Sequence, residues 1–298
     1  MINNIPEFLY QKLVNQYGEK LTKEIINGYK TKRYITIRVN TLKTEVSYIK
    51  KQFEINNIAY EEVSWFKDAL VIKDAQFEKI TNLDIYNNGE IYLQSLSSML
   101  PPLILNPKPS ENILDMTAAP GSKTTQIACL TNNKALITAV EKNKIRSDRL
   151  KYNIKKQGAT KINVLNMDAT KLDEFYSFDK ILLDAPCSGS GTLNIYDKSI
   201  LTYDEKLIER SKTIQYKLLN KAISLLKSGH EMVYSTCSII KEENEDIINK
   251  ILEEGKVELV DIENKYSNKC LPVSINKTLC IMPDEYYEGF FIAKLRKK

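Results

Sequence analysis

Long apolar runs are absent from this sequence: none approaches the roughly 18 to 20 residues that span a bilayer. The opening residues, Met1 to Tyr10, carry Asn, Pro and Glu where a signal peptide would carry an apolar run flanked by positive charge. A cytoplasmic protein with no membrane association is therefore expected. Cysteine is sparse: five residues, an odd count with no Cys-x-x-Cys spacing. That argues against a disulfide framework or a zinc ribbon, and predicts reduced thiols and no metal. Histidine is nearly missing. The one copy, His230, follows Gly229 ahead of an expected strand and reads as a satisfied turn residue. No internal repeat, low-complexity segment or long linker interrupts the chain.

What is present is ordinary for a globular protein: 298 residues, 43% hydrophobic and 27% charged. That length allows one large α/β domain, or one domain plus a small module. The net charge of +5 is mild, but it is unevenly spread. From Lys20 to Lys51 nine Lys or Arg face two Glu, a net +7. A solvated face and a phosphate-contacting surface explain that run equally well.

Apolar spacing predicts a helix over residues 1 to about 30, from Phe8, Leu9, Leu13, Tyr17, Leu21, Ile25 and Ile26. Arg33 to Val39 alternates as a strand; Val46, Ile49 and Phe53 mark a helix; Ile58–Val63 and Ala69–Ile72 read as short strands. These make a small α+β module over residues 1–91, closed by the turn signal Asn87–Asn88–Gly89. From residue 92 strands alternate with helices, the rhythm of a parallel sheet with crossovers. Strands are expected at Asn112–Met116, Ala135–Val140, Ile162–Asn166, Phe178–Leu183, Met232–Ser235 and Gly289–Lys294. Helices are expected at about Ser122–Leu130, Lys144–Gln157, Asp204–Leu226 and Lys241–Glu254.

The first of those strands runs into a tight loop of small residues, Thr117-Ala-Ala-Pro-Gly-Ser-Lys123, and then a helix. Ligands bind beyond the carboxyl ends of parallel strands, and small residues let a backbone approach one closely. The loop has neither the G-x-G-x-x-G of a dinucleotide site nor Walker spacing. The next strand ends at Glu141, placed to accept both hydroxyls of a ribose, and the third leads to Asp168, placed to accept an adenine amino group. The three features in register point to a nucleoside cofactor.

The next two strand ends carry Asp184-Ala-Pro-Cys-Ser-Gly and Tyr234-Ser-Thr-Cys-Ser. In a doubly wound sheet Asp184, Cys187 and Cys237 should converge on one cleft. Cys129, Cys270 and Cys280 read instead as small hydrophobes. A thiol, a carboxyl and a methyl donor together suit one problem. Carbon 5 of cytosine is a poor nucleophile until a thiolate adds at carbon 6, and a carboxyl at N3 stabilises that adduct. Such a carboxyl needs a proton at neutral pH, which an apolar site would favour. On residue chemistry alone either cysteine could be the nucleophile.

At these residues the sequence resembles the RNA cytosine-C5 methyltransferase family, the Nop2/NSUN group with its bacterial rRNA and archaeal tRNA members. The matching stretches are Arg38-Val-Asn-Thr-Leu42, Gln94-Ser-Leu-Ser-Ser-Met99, Asp115-Met-Thr-Ala-Ala-Pro-Gly-Ser-Lys-Thr124, Asp184-Ala-Pro-Cys-Ser-Gly189, Tyr234-Ser-Thr-Cys-Ser238 and Glu242-Glu-Asn-Glu245. The resemblance implies a Rossmann-like class I methyltransferase domain over 92–298, behind a small N-terminal α+β RNA-recognition module. It implies S-adenosylmethionine as cofactor, tRNA or rRNA as partner, and no obligate protein partner. It makes Cys237 the nucleophile, gives Cys187 a part in releasing methylated RNA, and sets Asp184 at the cytosine N3 and near the cofactor. Thr117, Ala118, Ala119, Pro120, Gly121, Ser122 and Lys123 would form the loop at the methionine end, with Glu141 on the ribose and Asp168 on the adenine. Thr117 stands where many members have Cys, and Ser122 where many have Gly. The chain ends soon after its last expected strand, so substrate recognition is expected of the N-terminal module. Arg38 and Lys123 read either as phosphate or active-site cations or as structural ion-pair partners. A DNA or protein acceptor, a non-catalytic RNA-binding assembly factor, and thiol–disulfide exchange between Cys187 and Cys237 are the competing readings. DNA enzymes use the Pro-Cys thiol and lack the second cysteine, and no redox motif is present.

Overall fold

The computed structural model describes residues 5–197, 200, 203–263, 266 and 269–298. Residues 1–4 of the expected first helix lie outside them. In chain order the elements are α1 (Glu7–Lys30), β1 (Ile35–Val39), α2 (Val46–Ile55), β2 (Tyr60–Glu62), β3 (Ala69–Ile72), α3 (Phe77–Thr81), α4 (Asp84–Asn87), β4 (Ile91–Leu93), α5 (Leu96–Leu105), β5 (Asn112–Asp115), α6 (Ser122–Leu130), β6 (Leu136–Val140), α7 (Lys144–Lys156), β7 (Ile162–Leu165), β8 (Phe178–Asp184), α8 (Glu205–Leu225), β9 (Leu226–Thr236), α9 (Glu245–Glu253), β10 (Val257–Val260), β11 (Thr278–Ile281) and β12 (Phe290–Lys297). They pack into two compact units, one of Tyr34–Leu182 and one of Met1–Arg33 with Leu183–Lys298. Among the described residues no helix is long and apolar enough to cross a membrane.

In the unit of Tyr34–Leu182, β1 is the organising strand. It pairs antiparallel with β3, where Ile37 lies opposite Leu70, and with β4, where Ile37 lies opposite Leu93. Successive side chains of a strand point to opposite faces. Ile37 and Val39 therefore enter an apolar core with Ile49 and Phe53 of α2, Leu70 and Ile72 of β3, Ile80, Ile85 and Ile91. Arg38 and Asn40 point the other way and are also fully buried. Arg38 Nε donates to Gln94 Oε1 at 2.9 Å, Nη2 to Thr125 Oγ1 at 2.9 Å, and Nη1 to Cys129 Sγ at 3.1 Å. Asn40 Nδ2 donates to the carbonyls of Gly89 and Gln157, both at 2.7 Å. Arg38 was expected as a phosphate or active-site cation or as a structural ion-pair partner; these hydrogen bonds go instead to uncharged groups of Gln94 and α6. Cys129 is likewise a hydrogen-bonding partner rather than a bare hydrophobe.

Beside this sheet, β8, β5, β6 and β7 run parallel. Leu114 lies opposite Ile181 on one side and Thr138 on the other, and Val140 lies opposite Leu165. α6 and α7 are the crossovers after β5 and β6, so three strand ends and their loops open at one edge. α5, which sequence periodicity did not indicate, is N-capped by Ser95 and carries Pro101 and Pro102 inside it.

In the other unit, β12 pairs antiparallel with β9, β10 and β11. Phe290, Phe291, Ile292, Ala293 and Leu295 are all buried, as expected of a strand covered on both faces. The expected strand at Met232–Ser235 is longer than its apolar stretch. It begins at Leu226, so His230 lies inside β9 rather than ahead of it, just after Gly229 at φ 78°. The expected first helix is broken at Gly18, where φ is 75°. Leu9, Leu13 and Tyr17 are buried before the break, and Ile25, Ile26 and Tyr29 after it. Arg33 donates to the carbonyls of Thr192 and Leu193. Of the nine cations between Lys20 and Lys51, Arg33 and Arg38 are therefore engaged within the fold, Lys43 Nζ donates to Asn88 O at 2.7 Å, and Lys50 pairs with Glu62 at 2.6 Å.

Removing the Arg38 side chain strands buried acceptors on Gln94 and Thr125. Arg38→Ala should lower the unfolding free energy by about 2–4 kcal/mol, on the scale of breaking a buried charged network. Urea denaturation checks this, and an unchanged midpoint would refute it.

Candidate functional site

The cofactor-type loop begins where β5 ends. Asp115 Oδ2 accepts a hydrogen bond from Thr124 Oγ1 at 2.7 Å, which ties the strand end to the first turn of α6. Ala118 N–H donates to Val140 O at 2.9 Å, holding the loop against the end of β6. From outside, α7 grips it: Arg146 Nη2 donates to Ala119 O and Asn153 Nδ2 to Pro120 O, each at 2.8 Å. The Ala119–Pro120 bond is cis. Gly121 sits at φ 108°, and a Cβ there would lie 2.9 Å from Leu150 Cδ1, so both backbone and space require glycine. Lys123 is buried and donates to Ser98 Oγ at 2.8 Å.

Glu141 continues β6, with its N–H on Leu165 O at 3.1 Å. Its carboxylate is buried; Oε1 accepts the Asn143 N–H at 2.8 Å, and Arg146 Nε stands 3.6 Å from Oε2. Asn166 Nδ2 donates to Glu141 O at 2.7 Å, linking the third strand end to the second. Asp168 Oδ1 accepts from Thr170 N–H at 2.9 Å and Thr170 Oγ1 at 2.8 Å, capping a short 3-10 turn over Ala169–Lys171. Those bonds hold the Asp168 carboxyl below its usual range. The structure brings Thr117–Lys123, Glu141 and Asp168 to three successive strand ends of one unit. A close backbone, a buried carboxylate and a second acceptor are the donor and acceptor set that a nucleoside cofactor requires, so these residues fit one.

The thiol-bearing residues belong to the other unit. Ala185 N–H donates to Ser235 O at 2.8 Å, and Ser235 Oγ donates to Asp184 Oδ1 at 2.7 Å. This pairing sets the loop after β8 beside the loop after β9. Cys187 and Cys237 are both free and partly exposed, with their Sγ atoms 2.9 Å apart. The neighbouring Cys237 thiol and burial push the Cys187 thiol well above its ordinary range, and the Glu243 carboxyl adds to that. Gly191 fixes the far side of the Cys187 loop. Its N–H donates to Cys237 O at 2.9 Å and its carbonyl accepts from Gly289 N–H at 2.8 Å. A Cβ on Gly191 would fall 2.0 Å from Gly289 O, so no side chain fits. Asp184 thus ends β8, with Cys187 after it, and Cys237 follows β9, on two loops that the Ser235 bonds hold side by side. Cys280, by contrast, is buried in β11 with its Sγ 3.9 Å from Tyr17 Oη.

Sequence reasoning assigned no role to Glu243, Arg146, Asn166 or Gln94. Glu243 and Gln94 lie within stretches that carried the resemblance, which was the signal available for them. Nothing in the order of residues distinguishes Arg146 from the other cations of α7.

A family model described as 16S rRNA methyltransferase RsmB/F matches residues 102–296, and one described as Methyltr_RsmF/B-like, ferredoxin-like domain matches 5–77. The chain is 35% identical to the ribosomal RNA small subunit methyltransferase F of Shewanella loihica, over 88% of this chain and 56% of that protein. It is 34% identical to the tRNA (cytosine(49)-C(5))-methyltransferase of Pyrococcus abyssi, over 96% of each. A solved methyltransferase homolog protein from Pyrococcus horikoshii superposes with a TM-score of 0.84, at 32% identity, over 99% of this chain and 100% of that one. The chain spans little more than half the length of the first curated relatives it matches, 56% and 57%. The fold is a Rossmann-like class I methyltransferase fold with a small N-terminal ferredoxin-like α+β domain.

Because the thiolate is the form that alkylates, a thiol pushed up by its neighbour should react slowly near neutrality. Iodoacetamide should modify Cys187 slowly at pH 7.5. In Cys237→Ala, where the raising neighbour is gone, the pH midpoint of Cys187 alkylation should move down. Peptide mapping across a pH series measures it, and a midpoint that stays put would contradict the assigned cause.

Proposed function

The chain belongs to the family described as 16S rRNA methyltransferase RsmB/F, and from that premise we propose that it transfers a methyl group from S-adenosylmethionine to carbon 5 of a cytosine in tRNA or rRNA. The observation that carries the reading is the pair of free thiols, Cys187 and Cys237, 2.9 Å apart, on loops joined by the Ser235–Asp184 hydrogen bond. A DNA cytosine-C5 enzyme needs only the first of them.

Cys237 is the nucleophile. Its thiolate adds to carbon 6 of the base, and the C5–C6 double bond becomes an enamine whose carbon 5 is nucleophilic. The Asp184 carboxyl, oriented by the hydrogen bond from Ser235, faces N3 and stabilises the adduct. S-adenosylmethionine supplies the electrophilic methyl group. Thr117–Lys123 with Glu141 and Asp168 are the residues that would hold it, Glu141 on the ribose hydroxyls and Asp168 on the adenine. A base then takes the carbon 5 proton, the C5–C6 double bond re-forms as the C6–S bond breaks, the Cys237 thiolate leaves, and Cys187 assists that release. The target base must leave its stack to reach the thiols. Residues 1–91 would supply RNA recognition and 92–298 methyl transfer. The two family models support that division by matching on either side of residue 91, over 5–77 and 102–296.

The test is methyl transfer from labelled S-adenosylmethionine to total RNA of a strain lacking the gene, followed by nucleoside digestion. Labelled 5-methylcytidine is expected with the native protein. Cys237→Ala should abolish it, by at least about 10³-fold for loss of a covalent nucleophile. Cys187→Ala should accumulate a denaturation-resistant protein–RNA adduct. Absence of label in RNA, with the cofactor bound, would overturn the reading.

A further inference from the structure

Glu243 is fully buried, and the chemistry above does not use it. Its carboxylate meets donors only. Oε1 accepts the Ser188 N–H at 2.7 Å and Gln215 Nε2 at 3.3 Å; Oε2 accepts Ser188 Oγ at 2.5 Å and Ser238 Oγ at 2.6 Å. Ser188 directly follows Cys187, and Ser238 directly follows Cys237. One carboxylate therefore bridges the two residues adjacent to the two thiols.

Further bonds hold both hydroxyls in place. Ser188 Oγ also accepts from Tyr203 Oη at 2.7 Å. Ser238 Oγ also accepts the Ile240 N–H at 3.1 Å and stands 2.8 Å from Ser190 Oγ, which itself accepts the Ile239 N–H at 2.9 Å. Both serine hydroxyls donate to the Glu243 carboxylate, which can only accept. The brace is anchored at its base as well, because Tyr234 Oη donates to Glu243 O at 2.7 Å.

We infer that Glu243 is a positioning residue for the thiol pair, its carboxylate tying the Cys187 loop to the Cys237 loop and so fixing the distance between the two sulfurs. Burial pushes the Glu243 carboxyl above its usual range, while the bonds from Ser188, Ser238 and Gln215 pull it back. Its charge also adds to what raises the Cys187 thiol. A fully satisfied buried network of this kind rigidifies what it joins. The inference rests on the proposed role of the thiols in methyl transfer, but the spacing it concerns can be read without RNA.

The first readout is thiol cross-linking by diamide. Its azo bond takes two electrons and two protons from the pair, leaving a Cys187–Cys237 disulfide and the reduced hydrazine. The second is single-turnover methyl transfer with its KM for RNA. Glu243→Ala should slow disulfide formation about tenfold, and cut the turnover rate by about 10²-fold with KM for RNA changed less than about threefold, the pattern of lost positioning. Glu243→Gln keeps the shape and an acceptor on one side but turns an NH2 toward donors on the other, and should give a cross-linking rate between those of Glu243→Ala and the native protein. Should Glu243→Ala not fold, Ser238→Ala removes the grip on one loop only, and should slow cross-linking about fivefold. Native cross-linking rates in folded Glu243→Ala or Ser238→Ala would overturn the inference. Failure of the native protein to methylate RNA would instead sink the functional reading and leave the cross-linking result standing.

Discussion

A guanidinium with no exposed surface must find acceptors inside the protein, and Arg38 finds them in the helix that follows the Thr117–Lys123 loop. The β1 alternation leaves no choice of direction. Ile37 and Val39 fill the apolar core on one face, so Arg38 and Asn40 must bury on the other. Gln94 Oε1, Thr125 Oγ1, the Ser122 carbonyl at 3.5 Å and Cys129 Sγ surround the charge, and the Tyr92 ring lies 5.6 Å away. Hydrogen bonds to a charged group contribute about 1.5–3 kcal/mol each, enough together to offset much of the desolvation of one buried cation. The consequence is geometric. The four-stranded sheet and α6 cannot be placed independently, so the start of α6, where the cofactor-type loop ends, is set by a strand of the neighbouring sheet.

The stretches Arg38–Leu42 and Gln94–Met99 thus turn out to be partners. Gln94 accepts from Arg38 and donates to Gln126 Oε1 at 2.7 Å and to Ser98 O at 3.1 Å. Ser98 O is the carbonyl that Pro102, lacking an N–H, cannot reach from one helical turn on. The proline that would argue against a helix here is compensated by a glutamine just before it. That explains why α5 was not legible from sequence. Two adjacent prolines outweigh the apolar spacing unless the compensating side chain is known. The strands and helices that were legible, β1, β5 to β8, α6 and α7 among them, have a clean period of two or 3.6 and turn residues at their ends. The break at Gly18 was invisible for the opposite reason, because the apolar spacing runs on across it.

At the candidate site, loops after strands could be read because each carries its chemistry at a fixed offset from an apolar run. Topology alone then brings Thr117–Lys123, Glu141 and Asp168 to one edge, and Asp184, Cys187 and Cys237 to adjoining loops. The supporting residues could not be read that way. Glu242, Glu243 and Glu245 are near neighbours of identical chemistry, and only the local 3-10 geometry separates their fates. Glu242 pairs with Lys12 at 2.7 Å, whereas Glu243 turns inward with no exposed surface. Glu245 is buried as well, so a sequence records that acids are present, whereas which of the three stays at the surface depends on a half-turn of backbone.

That half-turn bears on the one question residue chemistry left open, which of two cysteines attacks. Two thiols 2.9 Å apart cannot both ionise readily, since the second thiolate would form against the charge of the first. Any fixed negative charge nearer one of them breaks the symmetry. Glu243 is such a charge: it bonds to both Ser188 N–H and Ser188 Oγ, immediately beside Cys187, but reaches the Cys237 loop through the Ser238 hydroxyl alone. The asymmetry adds to the upward push that the neighbouring Cys237 thiol and burial already exert on the Cys187 thiol. A carboxylate that touches neither sulfur thus makes the surroundings of the two thiols unequal, through its hydrogen bonds to the residues that follow them.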